Sequence, residues 1–366
     1  MEKRLLEKLI EYYNTAIAIG SSSNSNSVIV LFRLLACRSV YGFGPKDYLL
    51  FNFHSKPFAA AKHYLAKDEL EVLQAAVNPE HERYVVADKL HYYLHCKEHS
   101  LPTPEILALT GLYQFDIDLK SLPRVTTVER LKDIVSQYGE GCYLLKPIDG
   151  SHGDGLIRFE LENGLLVMDG GRLMTADKEL QETLTLNTCF ILQRFLRPHP
   201  QLKPIMPGAS LGTARLVTLN HQGQISVIFG CIKIPAGNNV ADNFVAGSMG
   251  NLLADVDLQT GTILKTYGPD LDHPGVVREV SIHPDSGVII PGFVFPHWNA
   301  MLDAVITGAQ TIPQLGTIGW DIALTEDGPC LIEANSLYAC DILQTALGRG
   351  LKPDFERVLD PINLGI

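Results

Sequence analysis

The sequence lacks any apolar run that approaches the length of a membrane span, and its cysteines form no CxxC pair. The seven cysteines are dispersed and odd in number, which predicts reduced, mostly buried thiols in a cytoplasmic protein. The first residues, MEKRLLEKLIEYYN, mix charges among apolar residues, and this pattern predicts an amphipathic helix rather than a signal peptide. These absences argue against a membrane-spanning or disulfide-dependent protein.

Positive charge is also scarce, since 30 Lys and Arg residues face 41 Asp and Glu residues, for a formal net charge of -11. This balance argues against a nucleic acid or an anionic membrane as the main partner. The 366 residues, 46% of them hydrophobic and 19% charged, are typical of a globular protein with two or three cores. No internal repeat is visible, and no pattern indicates an oligomeric state.

Prolines and turn signals divide the chain into a helical part and strand-rich parts. Residues 1–87 are predicted to be mainly helical, with a polar, flexible loop at 20–27. A helix from about 87 to 100 then meets Leu101-Pro102-Thr103-Pro104, where two prolines force an extended connector. Short strands with one clear helix, at 128–138, follow. Longer strands come after residue 210, and they include 214–219 and 225–234.

Two short apolar runs, Trp320–Thr325 and Pro329–Ala334, flank an Asp-Gly pair, which is a strong hairpin signal. Because side chains alternate along a strand, Asp321 and Glu333 share a face only if the connection has an odd number of residues. A three-residue connection, Glu326 to Gly328, meets this condition and needs a left-handed conformation at its glycine. A two-residue connection would place the carboxylates on opposite faces.

Asp321, Glu333 and Asn335 would then offer oxygen donors from one hairpin. Mg²⁺ prefers such ligands, usually one or two carboxylates completed by nucleotide phosphates and water. The hairpin therefore indicates a magnesium site. The alternative is that these acidic residues are simply solvated beside a turn.

A second candidate site lies in CYLLKPIDGSHGDGLIRF, where one strand ends at Lys146 and another spans Leu156–Phe159. Small residues in a loop let backbone N–H groups approach phosphate oxygens, while a lysine adds a point charge. The loop carries the small residues Gly150, Ser151, Gly153 and Gly155. It is neither a Walker loop, which needs GK[ST], nor a Rossmann turn, which leads into a helix. A phosphate-binding loop and a plain glycine-rich hairpin both fit the pattern.

Two further strands carry polar residues where a ligand could meet them. The apolar stretch Phe190–Leu196 contains Gln193 and Arg194 near its end. Such an end can present backbone groups to an adenine edge, although a core strand has the same pattern. Arg215 is a charge inside an apolar strand, and by itself it indicates an exposed position on an edge strand.

Histidines give weaker indications of a site. The three at positions 91, 95 and 99 recur every four residues and could bind a metal along one helix face, but no carboxylate lies at matching spacing. His199 is placed where it could contact a ribose. Ser151 beside His152 does not indicate a nucleophile pair, because neighbours in a loop do not define a triad and no GxSxG elbow is present.

The order of these features resembles the ATP-grasp superfamily over roughly residues 86–340. The matching features are Asp88-Lys89 at a helix start, Leu101-Pro102-Thr103-Pro104, Lys146 with the GSHGDG loop, Gln193, Arg215, Asp321, Glu333 and Asn335. Three segments are similar to the sugar-transfer-associated ATP-grasp subgroup, which is related to α-L-glutamate ligases. They are Gly212–Thr218, Ala241–Phe244 and Val256–Leu258. That subgroup commonly has asparagine where this chain has Gly212.

The resemblance implies an α+β protein with an ATP-grasp fold, in which two α+β subdomains hold ATP beneath a mobile glycine-rich lid. The implied domains are a mainly helical region at 1–87, a small subdomain at 88–195 and a large subdomain at 196–366. The implied phosphate and lid residues are Lys89, Lys146, Gly150, Ser151, His152, Gly153 and Gly155. The implied adenine hinge is Gln193, Arg194, Phe195 and Leu196, and the implied ligands of Mg²⁺ or Mn²⁺ are Asp321, Glu333 and Asn335.

The implied activity is an ATP-dependent ligase that joins a carboxylate, of a sugar, a peptide or a small metabolite, to an amine or another nucleophile through an acylphosphate. Arg215 and Lys146 would stabilise the transferring phosphoryl group, because this chemistry needs charge neutralisation more than a protein nucleophile. Asp242 and Asn243 lie in a loop that could touch the substrate. A phosphotransferase and a non-catalytic nucleotide-binding module are the alternatives. The retention of both lysines and all three magnesium-type ligands argues against the module.

Overall fold

The computed structural model describes residues 2–22, 26–111, 122–148, 155–168, 172–173, 178–185, 189–237, 239, 242–244 and 248–359. Its helices are α1 (Glu2–Ser22), α2 (Ser27–Tyr41), α3 (Pro45–Leu50), α4 (Lys67–Val77), α5 (Lys89–Glu98), α6 (Val128–Tyr138), α7 (Lys178–Thr185), α8 (Trp298–Gln310), α9 (Asp341–Ala346) and α10 (Lys352–Val358). Its strands are β1 (Ile106–Thr110), β2 (Arg124–Val125), β3 (Gly141–Pro147), β4 (Ile157–Glu162), β5 (Leu165–Met168), β6 (Arg172–Leu173), β7 (Phe190–Arg194), β8 (Thr213–His221), β9 (Gln224–Ile234), β10 (Leu252–Val256), β11 (Ile263–Pro269), β12 (Val277–Glu279), β13 (Thr317–Thr325) and β14 (Gly328–Asn335). Short 3₁₀ helices span Phe58–His63, Glu80–Val86 and Pro200–Leu202.

Local sequence signals explain several of these boundaries. Helix α6 has the predicted limits, and it begins after Thr127, whose side chain accepts a hydrogen bond from the Arg130 N–H. Helix α5 begins after Asp88, whose carboxylate accepts from the N–H groups of Leu90 and His91. Strand β8 extends its predicted strand by one residue at the start and two at the end, and β9 extends its predicted strand by one residue at the start. Turn and cap chemistry is local, and it is therefore readable from the sequence.

The polar tract at 20–27 departs in part from its prediction. Helix α1 continues to Ser22, so the start of the predicted loop is helical. The Asn26 side chain caps α2 by accepting from the Val28 N–H at 2.9 Å. The remaining part of the predicted loop, residues 23–25, lies outside the described residues.

The chain forms two compact units. The first unit comprises residues 1–83, 198–329 and 334–366, and the second comprises 84–197 and 330–333. The mainly helical character predicted for the first 87 residues is confirmed, since α1 to α4 lie there with two 3₁₀ segments. The functional domain boundaries implied by the resemblance remain predictions.

The first unit carries the sheet β12-β11-β10-β9-β8-β13-β14. Its hydrophobic core combines N-terminal helical residues such as Leu34 and Leu70 with strand residues such as Val217, and with Phe355 of the last helix. Burial of these apolar side chains, which are less than 2% exposed, holds the N-terminal helices to the same unit as the sheet.

The second unit carries the sheet β2-β1-β7-β3-β4-β5-β6, in which β1 and β2 are parallel and the other pairs are antiparallel. Helix α6 packs its apolar face into the core of this unit, through Leu131 and Val135 beside Leu145 and Phe159. The mixture of helices with two largely antiparallel sheets confirms the α+β class.

The seven cysteines are free and six of them are buried, as predicted. Among the described residues, no helix combines the length and the apolar character that crossing a membrane requires.

Candidate functional site

Strand pairing places Arg215 directly opposite Asp321. Arg215 lies on β8, which is hydrogen-bonded to β9 on one side and to β13 on the other. The register pairs Arg215 with Asp321 on β13 and with Cys231 on β9. The expectation of an exposed position on an edge strand is therefore wrong, because β8 is an interior strand.

Four charged side chains form what we call the buried charge cluster: Arg215, Lys233, Asp242 and Asp321. The Arg215 guanidinium donates from Nε to Asp321 Oδ1 at 2.7 Å and from Nη2 to Oδ2 at 3.0 Å. Lys233 Nζ lies 3.4 Å from Asp321 Oδ1 and 3.5 Å from Asp242 Oδ2. Each of the four side chains is 12% exposed or less. Two cations thus balance two anions in a largely desolvated place.

The protonation states in the cluster follow from these contacts. Burial by itself would raise the pKa of Asp321, but the charges of Arg215 and Lys233 outweigh burial and hold that pKa well below its usual range. Burial likewise opposes the charge on Lys233, and the carboxylates of Asp242 and Asp321 hold its pKa above the usual value. Asp321 and Lys233 are therefore both charged at neutral pH.

Asp242 is held by β8 as well as by Lys233. Its Oδ2 accepts from the Thr213 backbone N–H at 2.8 Å and from Thr213 Oγ1 at 2.5 Å. The backbone carbonyl of the neighbouring Asn243 accepts from Asn251 Nδ2 at 2.8 Å. The loop residues predicted to meet a substrate are thus anchored to the sheet that carries Arg215.

Sequence reasoning missed Lys233. The sequence pattern that singled out Arg215, a charge inside an apolar strand, also occurs at Lys233, in the segment FGCIKI at 229–234. A lysine is seldom buried without partners, so its place in an apolar strand indicates a nearby carboxylate.

Close packing accounts for glycine at position 212, where the subgroup commonly has asparagine. A Cβ atom there would lie 2.5 Å from Met206 Cε and 2.6 Å from the Lys233 carbonyl oxygen. That carbonyl cannot easily retreat, because Lys233 is paired with Leu253 on β10. In this chain, Met206 and the β9 backbone fill the space that a side chain at position 212 would need.

Gly212→Ala is accordingly expected to lower the free energy of unfolding by about 1–3 kcal/mol, the usual cost of overpacking. The measurement is urea unfolding followed by tryptophan fluorescence, since both tryptophans, Trp298 and Trp320, belong to the first unit. Gly208→Ala is the matched control, because the nearest atom to its added Cβ is 3.9 Å away. Equal stabilities of the two variants would contradict the packing explanation.

The hairpin of β13 and β14 has the glycine conformation that a three-residue connection needs. Gly328 has a φ of 112°, whereas neither Glu326 nor Asp327 has a positive φ. That combination fits a type I turn followed by a left-handed glycine, rather than the two-residue turn with two positive φ angles. By the strand limits, however, β14 begins at Gly328, so two residues, Glu326 and Asp327, separate the strands where three were predicted. Thr325 Oγ1 donates to the Gly328 carbonyl at 2.9 Å. The shared face of Asp321 and Glu333 remains a prediction.

The chain after β14 is fixed by a buried amide that the sequence did not single out. Asn78 Nδ2 donates to the carbonyls of Thr317 at 2.9 Å and Ser336 at 2.7 Å, and its Oδ1 accepts from the Thr317 N–H. Asn78 therefore fixes the start of β13 and the residue that follows Asn335. Asn335 is half-buried, as is Glu333, which is grouped with the second unit.

The second unit carries the predicted phosphate-binding lysines. Lys89 opens α5 and donates from Nζ to the Ile148 carbonyl at 3.3 Å, just beyond the end of β3. Lys146 is half-buried on β3, opposite Ile191 of β7. Gly155 has a φ of 73° and precedes β4. The predicted lid residues Gly150, Ser151, His152 and Gly153 lie outside the described residues.

The predicted adenine hinge is built around β7. Gln193 is 6% exposed, and its Nε2 donates to the Pro104 carbonyl at 3.3 Å, so its side chain ties β7 to the proline connector. The Phe195 N–H donates to the Cys142 carbonyl at 2.9 Å, and the Phe195 ring lies 5.0 Å from the Arg158 guanidinium. Arg194 is exposed and Leu196 is half-buried.

The three helical histidines at positions 91, 95 and 99, all within the described residues, are not arranged as a metal site. His91 Nδ1 lies 2.6 Å from Asp88 Oδ2, while the rings of His95 and His99 contact each other at 4.4 Å between centroids. His199, in the first unit, contacts the ring of His297 at 5.0 Å. Within the part of the chain that the structure describes, no three His, Cys, Asp or Glu side chains are grouped as a metal site made of them alone would require.

The family comparison identifies the class of protein as ATP-grasp. A family model described as "Sugar-transfer associated ATP-grasp" matches residues 70–360, which is most of the chain. The chain therefore belongs to the sugar-transfer associated ATP-grasp family, and the resemblance read from the sequence is confirmed. No curated protein matches the chain.

Several solved structures are similar at low identity. L-amino acid ligase from Bacillus licheniformis is 14% identical with a TM-score of 0.34, over 70% of this chain and 41% of that one. Biotin carboxylase from Campylobacter jejuni, solved as a β-γ-ATP complex, is 10% identical with a TM-score of 0.41, over 83% and 53%. D-alanyl-alanine synthetase A from Vibrio cholerae is 10% identical with a TM-score of 0.43, over 78% and 66%. The chain thus spans about 40% to 66% of these proteins, and such likenesses carry no functional argument.

Proposed function

We propose that the protein is an ATP-dependent ligase that joins a carboxylate to an amine or another nucleophile. The observation that carries this proposal is the buried charge cluster, which holds the Arg215 guanidinium in one orientation on an interior strand of an ATP-grasp protein. A buried arginine fixed by a two-point contact is preorganised to meet an anion without further rearrangement.

The proposed chemistry has two displacement steps. A carboxylate oxygen of the substrate attacks the γ-phosphorus of ATP, and ADP leaves with the bond electrons. The nucleophile then attacks the carbonyl carbon of the acylphosphate and loses a proton, and phosphate leaves with the electrons of the carbon–oxygen bond. Negative charge develops on the phosphoryl oxygens in the first step and on the carbonyl oxygen in the second, so fixed cations favour both transition states.

Arg215 is the residue we assign to both of these anions. Lys233 is a positioning residue in this scheme, because its ammonium group lies beside both carboxylates and helps to keep Asp321 aligned with the arginine. Asp242 and Asn243 are assigned to the substrate loop, and their anchors to Thr213 and Asn251 support that role.

We assign ATP binding to the residues that the family resemblance implied. Lys89 and Lys146 would bind phosphates, and residues 150–155 would cover them. In the hinge, the Phe195 N–H is already bonded to Cys142, so an adenine contact would use the remaining backbone groups near Arg194 and Leu196. His199 is assigned to the ribose.

The residues also fit a magnesium ion, which when bound would neutralise the charge developing on the transferring phosphoryl group. Glu333 and Asn335 offer hard oxygen donors two residues apart on β14. Asp321 has about four acceptor positions on its two oxygens, and Arg215 and Lys233 occupy three of them, so one position remains on Oδ2. We therefore assign Asp321, Glu333 and Asn335 as the ligands of Mg²⁺, with Mn²⁺ as a substitute.

Hydroxylamine trapping tests the ligase assignment. The protein is incubated with Mg·ATP, hydroxylamine and a set of carboxylated sugars, peptides and small metabolites, and hydroxamate formation is measured together with ADP release. A ligase gives hydroxamate in proportion to ADP with at least one acid, because hydroxylamine intercepts the acylphosphate. ADP release that yields a stable phosphorylated product and no hydroxamate would instead assign a phosphotransferase, and ATP binding without turnover would assign a nucleotide-binding module.

A further inference from the structure

The N-terminal helices expose an apolar surface that the chain itself leaves uncovered. Ten large apolar side chains of α1 and α2 are between 40% and 68% exposed. On α1 the exposed residues Leu6, Ile10, Tyr13 and Ile17 recur at spacings of four, three and four. This spacing makes a continuous stripe along one side of a helix, as in helices that pack against a partner helix. We call the ten side chains the α1–α2 patch.

The opposite sides of the same helices account for the attachment to the core. Ala16 and Ile19 of α1 and Val30, Leu34 and Cys37 of α2 are buried in the core of the first unit. Along α1, by contrast, every side chain from residue 6 to residue 11 is exposed. Because an isolated helical segment is marginal in water, this half of α1 gains little stability from its own chain. Packing against a second surface would supply the stability that this part of α1 does not gain from its own chain.

The size of the patch suits a protein interface. Aromatic side chains bury about 150–250 Å² each, and Tyr13 and Phe32 are the two aromatic members of the patch, so ten half-exposed side chains present on the order of several hundred Å². The largest apolar patch of a typical monomer is about 300–600 Å². One side of a standard protein interface is about 800 Å².

The charges around the patch distinguish among the surfaces that could cover it. Across α1 and α2 the sequence carries three acidic and five basic residues, and the two basic residues of α2, Arg33 and Arg38, donate to backbone carbonyls of Phe53, Lys56 and Gly42 in their own unit. The remaining charges, all between Glu2 and Glu11, sum to zero within a chain of net charge -11. An anionic membrane would require an excess of basic residues beside the apolar stripe. Two copies of an acidic chain repel each other least where the surface is neutral, and mixed charges can pair across a two-fold axis.

We propose that the α1–α2 patch is a homodimer interface, in which the exposed stripes of two copies pack against each other about a two-fold axis. Each stripe then becomes the partner of the same stripe on the other copy. The contact buries the exposed residues of α1 and leaves unaltered the buried charge cluster, whose residues lie on β8, β9 and β13 and in the loop that carries Asp242.

Light scattering of the full chain across a dilution series tests this interface. The expected mass is about 81 kDa, twice the chain mass of 40.3 kDa, with a shift toward the monomer on dilution. Ile10→Glu and Phe32→Glu are each expected to raise the dimer dissociation constant by at least about thirtyfold, because a two-fold contact places every added charge in the interface twice. Val72→Glu is the matched control, since Val72 is 70% exposed on α4, which is not part of the patch, and should leave the dimer intact.

Two results would overturn the proposal. One is a monomer at every concentration, and the other is a dimer that both patch variants leave unchanged. Circular dichroism and tryptophan fluorescence establish that the variants remain folded, and the 68% exposure of Phe32 makes a charge there tolerable in the monomer. Sedimentation with vesicles of phosphatidylcholine and phosphatidylglycerol separates the membrane alternative. If the protein is a monomer and binds these vesicles, and if Ile10→Glu and Phe32→Glu abolish that binding, the patch is a lipid-binding surface and not a dimer interface.

Discussion

Asp321→Asn is expected to lower the free energy of unfolding of the first unit by about 3–5 kcal/mol, the usual cost of removing one partner from a buried ion pair. The amide keeps the volume of the carboxylate but removes its charge and one of its two acceptor oxygens. The cluster would then hold the two cations Arg215 and Lys233 against the one carboxylate of Asp242, which lies beside Lys233, and so would have an excess positive charge in a desolvated place. Urea unfolding followed by the fluorescence of Trp298 and Trp320 measures the change.

An exposed ion pair on the same sheet provides the control for Asp321→Asn. Lys265 and Glu279 lie 3.6 Å apart on neighbouring strands, and their side chains are 55% and 53% exposed. Glu279→Gln is expected to change the free energy of unfolding by no more than about 1 kcal/mol, because water already screens that pair. If the two variants lost equal stability, the buried charge cluster would contribute no more to the stability of the fold than an exposed ion pair does.

Glu333→Gln is expected to reduce ATP turnover by about 10²- to 10³-fold, the scale seen when one group that stabilises transition-state charge is removed. The physical reason is that the amide is a poorer ligand for a divalent cation than the carboxylate that we assign to Mg²⁺. The unfolding free energy should change by less than about 1 kcal/mol, since Glu333 is only half-buried. ADP release and calorimetric binding of Mg·ATP are the two measurements.

The same hairpin supplies a control for Glu333→Gln. Glu326 is exposed in the turn between β13 and β14, so Glu326→Gln removes the same charge from a position without an assigned role. Wild-type turnover is expected for this variant. Full ATP turnover by Glu333→Gln would refute the metal assignment, whereas a loss of turnover shared by both variants would point to a general effect of charge on the hairpin.

The parts of the site that the sequence predicted are those set by short-range signals. The Asp-Gly turn predicted the β13–β14 hairpin, including a left-handed glycine at position 328, because turn geometry depends on adjacent residues. The order of lysines, glycines and acidic residues predicted the family, which the match over residues 70–360 confirms. The roles of the individual residues remain predictions, since family membership does not assign them.

The parts that the sequence did not predict depend on strand order. The sequence around Arg215 predicts an exposed position on an edge strand, because its neighbours along the chain give no sign of a carboxylate. Its partner Asp321 is 106 residues away and is brought opposite by the β8–β13 register. Lys233 joins them only because β9 pairs with the other side of β8. Gly212 likewise lies where Met206 and the Lys233 carbonyl leave no room for a side chain.

By itself, the sequence determined the helix and strand pattern, the glycine conformation of the hairpin and the family, because each follows from neighbouring residues or from their order along the chain. Only the tertiary structure decided which charges neutralise one another and which apolar faces stay uncovered. The spacing of α1 shows an apolar stripe but not whether the protein's own core covers it. Likewise, a charge in an apolar strand finds its partner through the register of strands that are distant in sequence, and no local pattern encodes that register.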